Sequence, residues 1–460
     1  MASIAEAQEV GSRPPKRRLA LAPKAEDFRY SAIEPHQLPG VMRRHIYTGA
    51  MGATYWHLTN GMFLVAFGNA IGVSVAQWSV LSAVCCFALS AQLVSAYCTE
   101  RYGYRRLLWF IMEFSNRALR GIGFFVSFFL FIHGHAYAAA AVFVGMMCLA
   151  NFFMAAGHPP WFSWFTDIIP EKIQGTFWGR REAWVCLAAL GMLLPASYAL
   201  DRVPEEFKTY VLVAMFGFGL VLGTIDVCLH RQIPEPAFAT RDNGAFHRYI
   251  VKPLQNADFR RWLTFNTCWN FSQMVGGALA TVYFVDNLRI RDNFLGGSIV
   301  LVALPIAATM LTTRWSGRLV DRLGVKRVLI VSTLIWALMP IFWVVATPAS
   351  AIFWLAISSI FGGVGVPAAT NAGNKLILRL PDPGQRAIFV AVNACLANIG
   401  GGLGPLVGGL FLETLSNQTW TVGAYTLVPF QMLFVLSLVL RLAAWLLAFR
   451  IKTPGFDVGK

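Results

Sequence analysis

Three ionisable side chains lie within a long apolar segment, residues 107–131: Glu113, Arg117 and Arg120. Charged groups are costly in apolar surroundings and, where they occur, usually serve function. Glu113 and Arg117 are four residues apart, so on a helix they share one face and can form an ion pair. Two interpretations remain open. The charges form a relay, with Glu113 accepting a proton or Arg117 contacting an anion, or the pair fixes this segment to a neighbouring helix.

Amides, tryptophans and one histidine occur in two further apolar segments, residues 47–68 and 262–286. The first contains Trp56, His57 and Asn60, and the second contains Asn266, Trp269, Asn270 and Gln273. The second group is spaced so that all four residues share one helical face. One interpretation is a polar cavity, in which the imidazole of His57 suits proton exchange near neutral pH. The other is hydrogen bonding between helices, worth about 1 kcal/mol per contact.

The composition places these segments in a membrane. Of 460 residues, 56% are hydrophobic and only 13% are charged, whereas a soluble domain carries about 25% charged residues. A membrane-spanning helix needs about 20 apolar residues, and the apolar runs are continuous over that length, unlike the alternating strands of barrels. The sequence therefore predicts an all-α polytopic membrane protein.

Twelve apolar runs fall into two groups of six. They are residues 47–68, 75–97, 107–131, 137–160, 182–201 and 209–230, then 262–286, 295–313, 327–347, 350–370, 387–411 and 426–449. We therefore predict an N-terminal tail (1–45), a six-helix bundle (46–230), a central loop (231–261), a second six-helix bundle (262–450) and a C-terminal tail (451–460).

The basic residues indicate the orientation. The net charge is +15, which by itself could suggest nucleic acid. With the N-terminus in the cytoplasm, 31 of the 38 Lys and Arg fall on cytoplasmic tails and loops and only four on outer loops. The positive-inside rule therefore places both termini in the cytoplasm. No nucleic-acid partner is predicted, because the charge excess belongs to one membrane face. The eight cysteines form no CxxC pair and are interpreted as small apolar residues.

A charged connector occurs twice, at the same place in each half. Residues 317–327 read GRLVDRLGVKR and residues 100–106 read ERYGYRR. At an offset of 221 positions, Glu100 corresponds to Asp321, Arg101 to Arg322, Gly103 to Gly324, and Arg105–Arg106 to Lys326–Arg327. The glycine allows a tight turn with positive φ, and the carboxylate can cap the N-terminus of a neighbouring helix. The pattern indicates an internal repeat.

The second connector, beginning at Gly317, resembles the cytoplasmic loop signature of the major facilitator superfamily, G-x-L-x-D-R-x-G-x-K/R-R/K. The first has Glu100 in place of Asp and Ala96 in place of Gly, so it is a degenerate copy. The resemblance covers residues 45–450 and implies twelve transmembrane helices in two pseudo-symmetric bundles. It also implies alternating access, in which Asp321 and Arg322 hold the halves together. Through the degenerate copy, the same role is implied for Glu100.

The same resemblance implies a central cavity lined mainly by spans 1, 4, 7 and 10. Spans 1 and 7 contain the amides, tryptophans and histidine described above. The segment around Trp164, Asp167, Pro170 and Gly179-Arg180-Arg181 resembles a bacterial branch without an assigned substrate. This resemblance implies a location in the inner membrane. We therefore expect a secondary transporter of a small solute, coupled to protons and monomeric. Solute identity, transport direction and coupling mode remain open. The alternative is a non-transporting scaffold or assembly factor that kept the fold.

The segment GGGLGPLVGG, residues 400–409, contains Gly400, Gly404, Pro405, Gly408 and Gly409. It looks like the family's antiporter signature, but that signature normally lies in span 5 and here lies in span 11. Small residues allow close helix contact, so a packing hinge is favoured over an indication of export.

Two further charges, Asp226 and Arg441, lie within about two turns of a cytoplasmic end, and each is expected to snorkel to the membrane surface or to form an interfacial ion pair. No GxxxxGK[ST] or HExxH motif occurs, so no ATPase, enzyme, metal site or cofactor is predicted.

Overall fold

The computed structural model describes residues 36–236, 251, 253–380, 386–416, 418, 420–422 and 425–452. These residues are mostly helical, as predicted. The helices of the first half are α1 (Leu38–Thr59), α2 (Gly61–Ala70), α3 (Val75–Leu89), α4 (Ala91–Tyr102), α5 (Arg105–Ile132), α6 (Ala136–Ile168), α7 (Glu171–Arg202) and α8 (Glu205–His230).

The helices of the second half are α9 (Ala257–Asp286), α10 (Phe294–Ser298), α11 (Leu304–Leu323), α12 (Val325–Ala337), α13 (Met339–Val345), α14 (Ala351–Arg379), α15 (Arg386–Thr414) and α16 (Pro429–Ala448). A 3-10 turn (Ile290–Asp292) precedes α10, and a π-helix (Ile299–Ala303) joins α10 to α11. A short antiparallel pair, β1 (Trp420–Val422) and β2 (Tyr425–Leu427), precedes α16 and was not predicted.

Ten helical segments in the described part of the chain are long and apolar enough to cross a membrane. They correspond to the predicted runs other than the first and the seventh. The seventh, α9, has 30 residues but is too polar, because it carries the amide and tryptophan residues noted above. The first is divided into α1 and α2 at Asn60, next to Gly61 with φ +63°. The two segments predicted to line a cavity are therefore the two that are not among the ten.

Several helices extend beyond the apolar runs. Helix α6 continues to Ile168 and α7 begins at Glu171, because polar residues at a membrane surface can continue a helix without being buried in lipid. Helix α9 begins at Ala257, inside the interval predicted as a loop. The Asn256 side chain caps it by accepting the N–H groups of Asp258 (3.0 Å) and Phe259 (2.9 Å).

Each half is held together by long helix pairs. In the first half α5 packs along α6, and α1 packs against α7 and α8. In the second half α9 packs against α15 and α16, and α14 packs against α11 and α12. The halves meet where α3 packs on α15, α7 on α10, and α2 on α9.

Side-chain hydrogen bonds between the halves, among the described residues, are concentrated at one end of the bundle. We call the end at which Leu38 and Ala448 lie the terminal end, and the opposite one the far end. At the far end the Asn69 amide donates to Asp286 Oδ2 (2.7 Å), and the Ser197 and Ser298 hydroxyls are 2.5 Å apart. Among the described residues, the other side-chain hydrogen bonds between the halves also lie there, apart from Ser90 Oγ to the Cys395 carbonyl (3.3 Å), farther along α3 and α15.

Candidate functional site

A buried network of charges joins two helices of the first half, α5 and α8. The predicted ion pair between Glu113 and Arg117 is confirmed. Arg117 Nη2 also lies 3.5 Å from Asp226 Oδ2, and Asp226 Oδ1 lies 3.0 Å from His230 Nδ1. The ion pair expected of Asp226 is present, but its side chain does not snorkel to the membrane surface, because it faces α5 and the residue is only 5% exposed. One guanidinium therefore joins two carboxylates.

Close helix contact brings α1 onto this network. The Arg117 guanidinium lies 4.6 Å from the centroid of the Tyr55 ring, and the Tyr55 hydroxyl donates to Asn116 Oδ1 (2.9 Å). A Cβ at Gly52 would lie 2.9 Å from Asp226 Oδ2, and one at Gly223 would lie 2.7 Å from the Tyr55 ring. Glycines at these two positions thus allow the helices to approach.

A cavity of about 410 Å³ opens onto the network. Its lining includes the four charged or titratable groups of the network and the predicted Trp56 and His57. It also includes the guanidinium of Arg181, which the sequence did not predict as a cavity residue. Titratable groups that face a cavity can exchange protons with the water in it, whereas fully enclosed ones cannot. The first interpretation of Glu113, a relay, and the second, a structural pair, are therefore both compatible with this geometry.

Arg120, the third charge predicted on this helix, does not join the network. Its Nη1 donates to Asn60 Oδ1 (3.0 Å), its Nη2 donates to Asn151 Oδ1 (3.1 Å), and its guanidinium lies 5.5 Å from the Trp56 ring. Trp56, Asn60 and Asn151 also line a second cavity, of about 310 Å³, which reaches Ala278 in the other half. Arg120 therefore positions two of the predicted cavity residues.

The polar stripe of α9 is divided by the structure. Asn266, Trp269 and Asn270 line a third cavity, of about 220 Å³, within the second half. The Asn266 amide donates to Asn393 Oδ1 (3.0 Å). Gln273 does not line this cavity and is buried. Asn266 therefore combines both interpretations, cavity lining and hydrogen bonding between helices. Asn270 donates within α9, to the Asn266 carbonyl (2.8 Å), and the Trp269 indole N–H has no partner among the described residues. His57 and Asn270 line different cavities.

Arg441 contacts the end of this stripe. It is only 2% exposed, so the expectation that its side chain snorkels to the membrane surface is wrong. Its guanidinium donates to the carbonyls of Trp336 and Gln273, both at 3.3 Å, and lies 5.5 Å from the Trp343 ring. These carbonyl and ring contacts stabilise the cation inside the bundle, which the sequence position could not show.

Both repeated connectors turn at their glycines, as predicted: φ is +75° at Gly103 and +84° at Gly324. In the first connector the Arg105 guanidinium donates to Asp167 Oδ2 (2.6 Å) and to the Pro236 carbonyl (3.0 Å). The Glu235 carboxylate accepts the Arg105 N–H (2.9 Å) at the start of α5.

Glu235 thus caps α5, a role that the sequence suggested for the connector's own acid. Burial raises the pKa of the Glu235 carboxyl, and the N–H of Arg106 and the charge of Arg105 partly oppose that rise.

In the second connector Asp321 Oδ1 accepts a hydrogen bond from Lys375 Nζ on α14 (2.5 Å). This ion pair lies within the second half and does not cap a helix of the first half. Lys326 donates to the Phe449 carbonyl (2.9 Å), and in the first connector Arg101 donates to the Tyr97 hydroxyl (2.9 Å). The remaining predicted connector residues are Glu100, Gly317, Arg322 and Arg327, and their role in holding the halves together stays a prediction.

The glycine-rich segment of α15 provides close packing. A Cβ at Gly400 would lie 2.6 Å from Thr267 Cγ2, and one at Gly404 would lie 2.8 Å from the Phe271 carbonyl oxygen. Gly408 approaches the backbone of α9 as well, while Gly409 faces Ser79 on α3 across the boundary between the halves. Pro405 lies inside the same helix. These contacts support the packing interpretation.

Comparisons with known proteins agree with this architecture. Residues 262–457 match the family model described as Major Facilitator Superfamily. A search of curated proteins gave no significant match. A point mutant of the nucleoside transporter NupG is similar in structure with a TM-score of 0.67 and 11% identity, covering 90% of this chain and all (100%) of that one.

Two further solved structures have the same fold. A D-xylose-proton symporter gives a TM-score of 0.61 at 13% identity, covering 90% of this chain and 97% of the other. A bacterial homologue of the human lysosomal transporter Spinster, inward-facing and unoccupied, gives 0.61 at 14%, covering 91% and 98%.

The apolar spans and the fold define an integral, multi-pass membrane protein that shares its fold with the solved structures above. The resemblance to the major facilitator superfamily is confirmed, by the family match over the second half and by the fold of the described chain.

Proposed function

We propose that this protein is a proton-coupled secondary transporter that moves a small solute by alternating access. It has twelve spans in two six-helix bundles, with both termini on the cytoplasmic side, and lies in a bacterial inner membrane. The single observation that carries the coupling is the network Glu113–Arg117–Asp226–His230, which is buried yet opens onto a cavity. Ionisable groups arranged in this way within spans are typical of proton relays in transporters.

Alternating access is supported by where the halves touch. Their described hydrogen bonds are concentrated at the far end, and Asp321 of the terminal end is paired within its own half. This arrangement fits a state that is open toward the terminal end, which the charge distribution assigns to the cytoplasm. The similar Spinster homologue was solved inward-facing, and the similar D-xylose transporter is a proton symporter.

Proton coupling is tested in proteoliposomes that contain a pH-sensitive dye. A solute is first identified by the thermal stabilisation that metabolites confer on the purified protein. Its addition should then change the internal pH in wild-type vesicles and not in Glu113→Gln vesicles. Glu205→Gln is the matched control, because that glutamate is 69% exposed and lines none of the cavities described above. Solute accumulation in Glu113→Gln that still follows an imposed pH gradient would rule out Glu113 as the proton carrier.

The transport function itself is tested by Asp321→Asn. If Asp321 stabilises a closed terminal end during the cycle, uptake should fall sharply while expression and membrane insertion are maintained. Asp258→Asn, which alters a partly exposed ion pair with Arg261, serves as the control. If the wild-type protein takes up none of the solutes that stabilise it, this result would favour the scaffold alternative.

A further inference from the structure

Arg181 occupies one wall of the 410 Å³ cavity. Helix α7 carries it, and its guanidinium lies 5.4 Å from the Trp161 ring centroid and 5.5 Å from that of Trp178. On the opposite side a Cβ at Gly49 would lie 2.7 Å from Arg181 Nη2. Two indoles and a glycine therefore define the position of the guanidinium, which is the preorganisation that a recognition site requires.

This guanidinium has no hydrogen-bond partner among the residues that the structure describes. Its Nε is buried without a partner, and the side chain is only 14% exposed. The nearest carboxylate oxygen is Glu182 Oε2, 3.7 Å from Nη1 and on a side chain that is 64% exposed. The Arg181 guanidinium is thus largely withdrawn from water and has no hydrogen-bond acceptor in the described part of the chain. Burying such a charged group costs free energy unless an acceptor pairs with it.

The other acids of the cavity are already engaged. Asp226 contacts Arg117 and His230, and Glu113 contacts Arg117. The two carboxylates and two guanidiniums that line the cavity sum to no formal charge, and protonation of His57, His158 or His230 would make the sum positive. This electrostatic balance disfavours a cation and leaves the charge of Arg181 for an anion.

We infer that Arg181 is the recognition residue for an organic anion whose planar carboxylate pairs with the guanidinium. The rest of the solute lies against the aromatic wall. Trp56, Trp109 and Trp161 supply that wall, and a volume of about 410 Å³ suits a small organic molecule. A carboxylate matches the guanidinium fork with two parallel hydrogen bonds. This inference names the substrate class of the proposed transporter and so rests on that function, but binding can be measured without transport.

Three probes of nearly equal shape and different charge test the inference: benzoate, benzamide and benzamidine. Thermal unfolding of the purified protein in detergent is followed at increasing concentrations of each. Benzoate should stabilise the wild-type protein, whereas neutral benzamide and cationic benzamidine should stabilise it much less. Arg181→Gln should abolish the benzoate effect. Arg181→Lys, which keeps the charge and loses the fork, should raise the Kd at least about tenfold.

Arg180→Gln is the matched control, because Arg180 is the preceding residue in the same helix and is exposed. It should bind benzoate as the wild type does. The inference is overturned if benzoate fails to stabilise the wild type, if benzamide stabilises it equally, or if Arg181→Lys and Arg181→Gln retain wild-type affinity. The Lys variant keeps the test decisive should the Gln variant fail to fold. Benzoate binding through Arg181 without any uptake would instead contradict the transport proposal and leave the binding site established.

Discussion

The Asp201 carboxylate, at the end of α7, accepts the backbone N–H of Phe294, the first residue of α10, at 2.6 Å. Its other oxygen accepts the N–H of Leu295 at 2.9 Å. A negative charge at a helix N-terminus is favourable, because that end has unpaired N–H groups and a positive dipole. One side chain of the first half thus caps a helix of the second and joins the halves at the far end.

Asp201→Asn should weaken closure of the far end, because the amide keeps one acceptor and loses the charge. In a background lacking the eight native cysteines, a cysteine at Ser298, which is fully buried, reports opening through its rate of maleimide labelling. We expect faster labelling in Asp201→Asn. The control is Asp292→Asn, whose side chain is 54% exposed. Equal labelling in the two variants would show that the cap does not hold the far end closed.

Asp226→Asn should destabilise the protein by about 3 kcal/mol, the usual cost of breaking a buried ion pair by removing one partner. Arg117 would keep its ion pair with Glu113, while His230 would lose its contact with the Asp226 carboxylate. Unfolding in detergent with increasing denaturant measures the change. Asp258→Asn removes the partly exposed pair with Arg261 and should cost at most about 1 kcal/mol. Equal losses in the two variants would contradict a buried network.

Arg105→Lys should lower the unfolding temperature although it keeps the charge. Arg105 donates in two directions, to Asp167 Oδ2 and to the Pro236 carbonyl, and a lysine ammonium cannot reproduce that planar geometry. Arg101→Lys is the control, because Arg101 is an exposed residue of the same connector. Thermal unfolding of both purified variants measures the difference. A loss confined to Arg101→Lys would refute the importance of the Arg105 contacts.

Gly408→Ala should destabilise the bundle, because the added Cβ would meet the Val275 carbonyl on the closely packed backbone of α9. Overpacking of this kind costs about 1–3 kcal/mol. Gly191→Ala is the control, since its Cβ would meet nothing within 4 Å and alanine favours a helix over glycine. Thermal unfolding should therefore show a loss for the first variant and no loss for the second. Similar behaviour would mean that α15 can shift to accept the methyl group.

Glu235→Gln should gain stability relative to the wild type as pH rises. Burial raises the pKa of the Glu235 carboxyl, so in the folded protein the charged form is disfavoured. The stability contributed by the protonated acid is present below the ordinary pKa, about 4.3, and is lost as pH rises through the raised value. The difference in unfolding temperature between the two proteins, measured across that range, should change in this direction. A constant difference would mean that the hydrogen bonds to Glu235 fully offset its burial.

Local patterns of the chain determined a large part of this protein. The apolar runs predicted the helices, because burial in lipid requires continuous apolar length and internally paired backbone groups. The spacing of Glu113 and Arg117 predicted their ion pair, and the repeated glycine predicted the turns at Gly103 and Gly324. These features depend on residues within about one helical turn of each other, so the sequence contains all the information they need.

Tertiary structure alone decided which distant groups meet. Asp226 joins Arg117 across 109 positions, and Asp201 caps α10 across 93. Neither contact could be predicted from the periodicity of the sequence. Periodicity shows which residues share one face of a helix, but it does not show which other helix that face contacts. Packing also divided the stripe on α9, since the rotation of a helix against its neighbours determines which side chains reach a cavity. Gly52 and Gly223 allow α1 and α8 to approach closely, and at that separation the Tyr55 ring of α1 lies against Arg117 of the network.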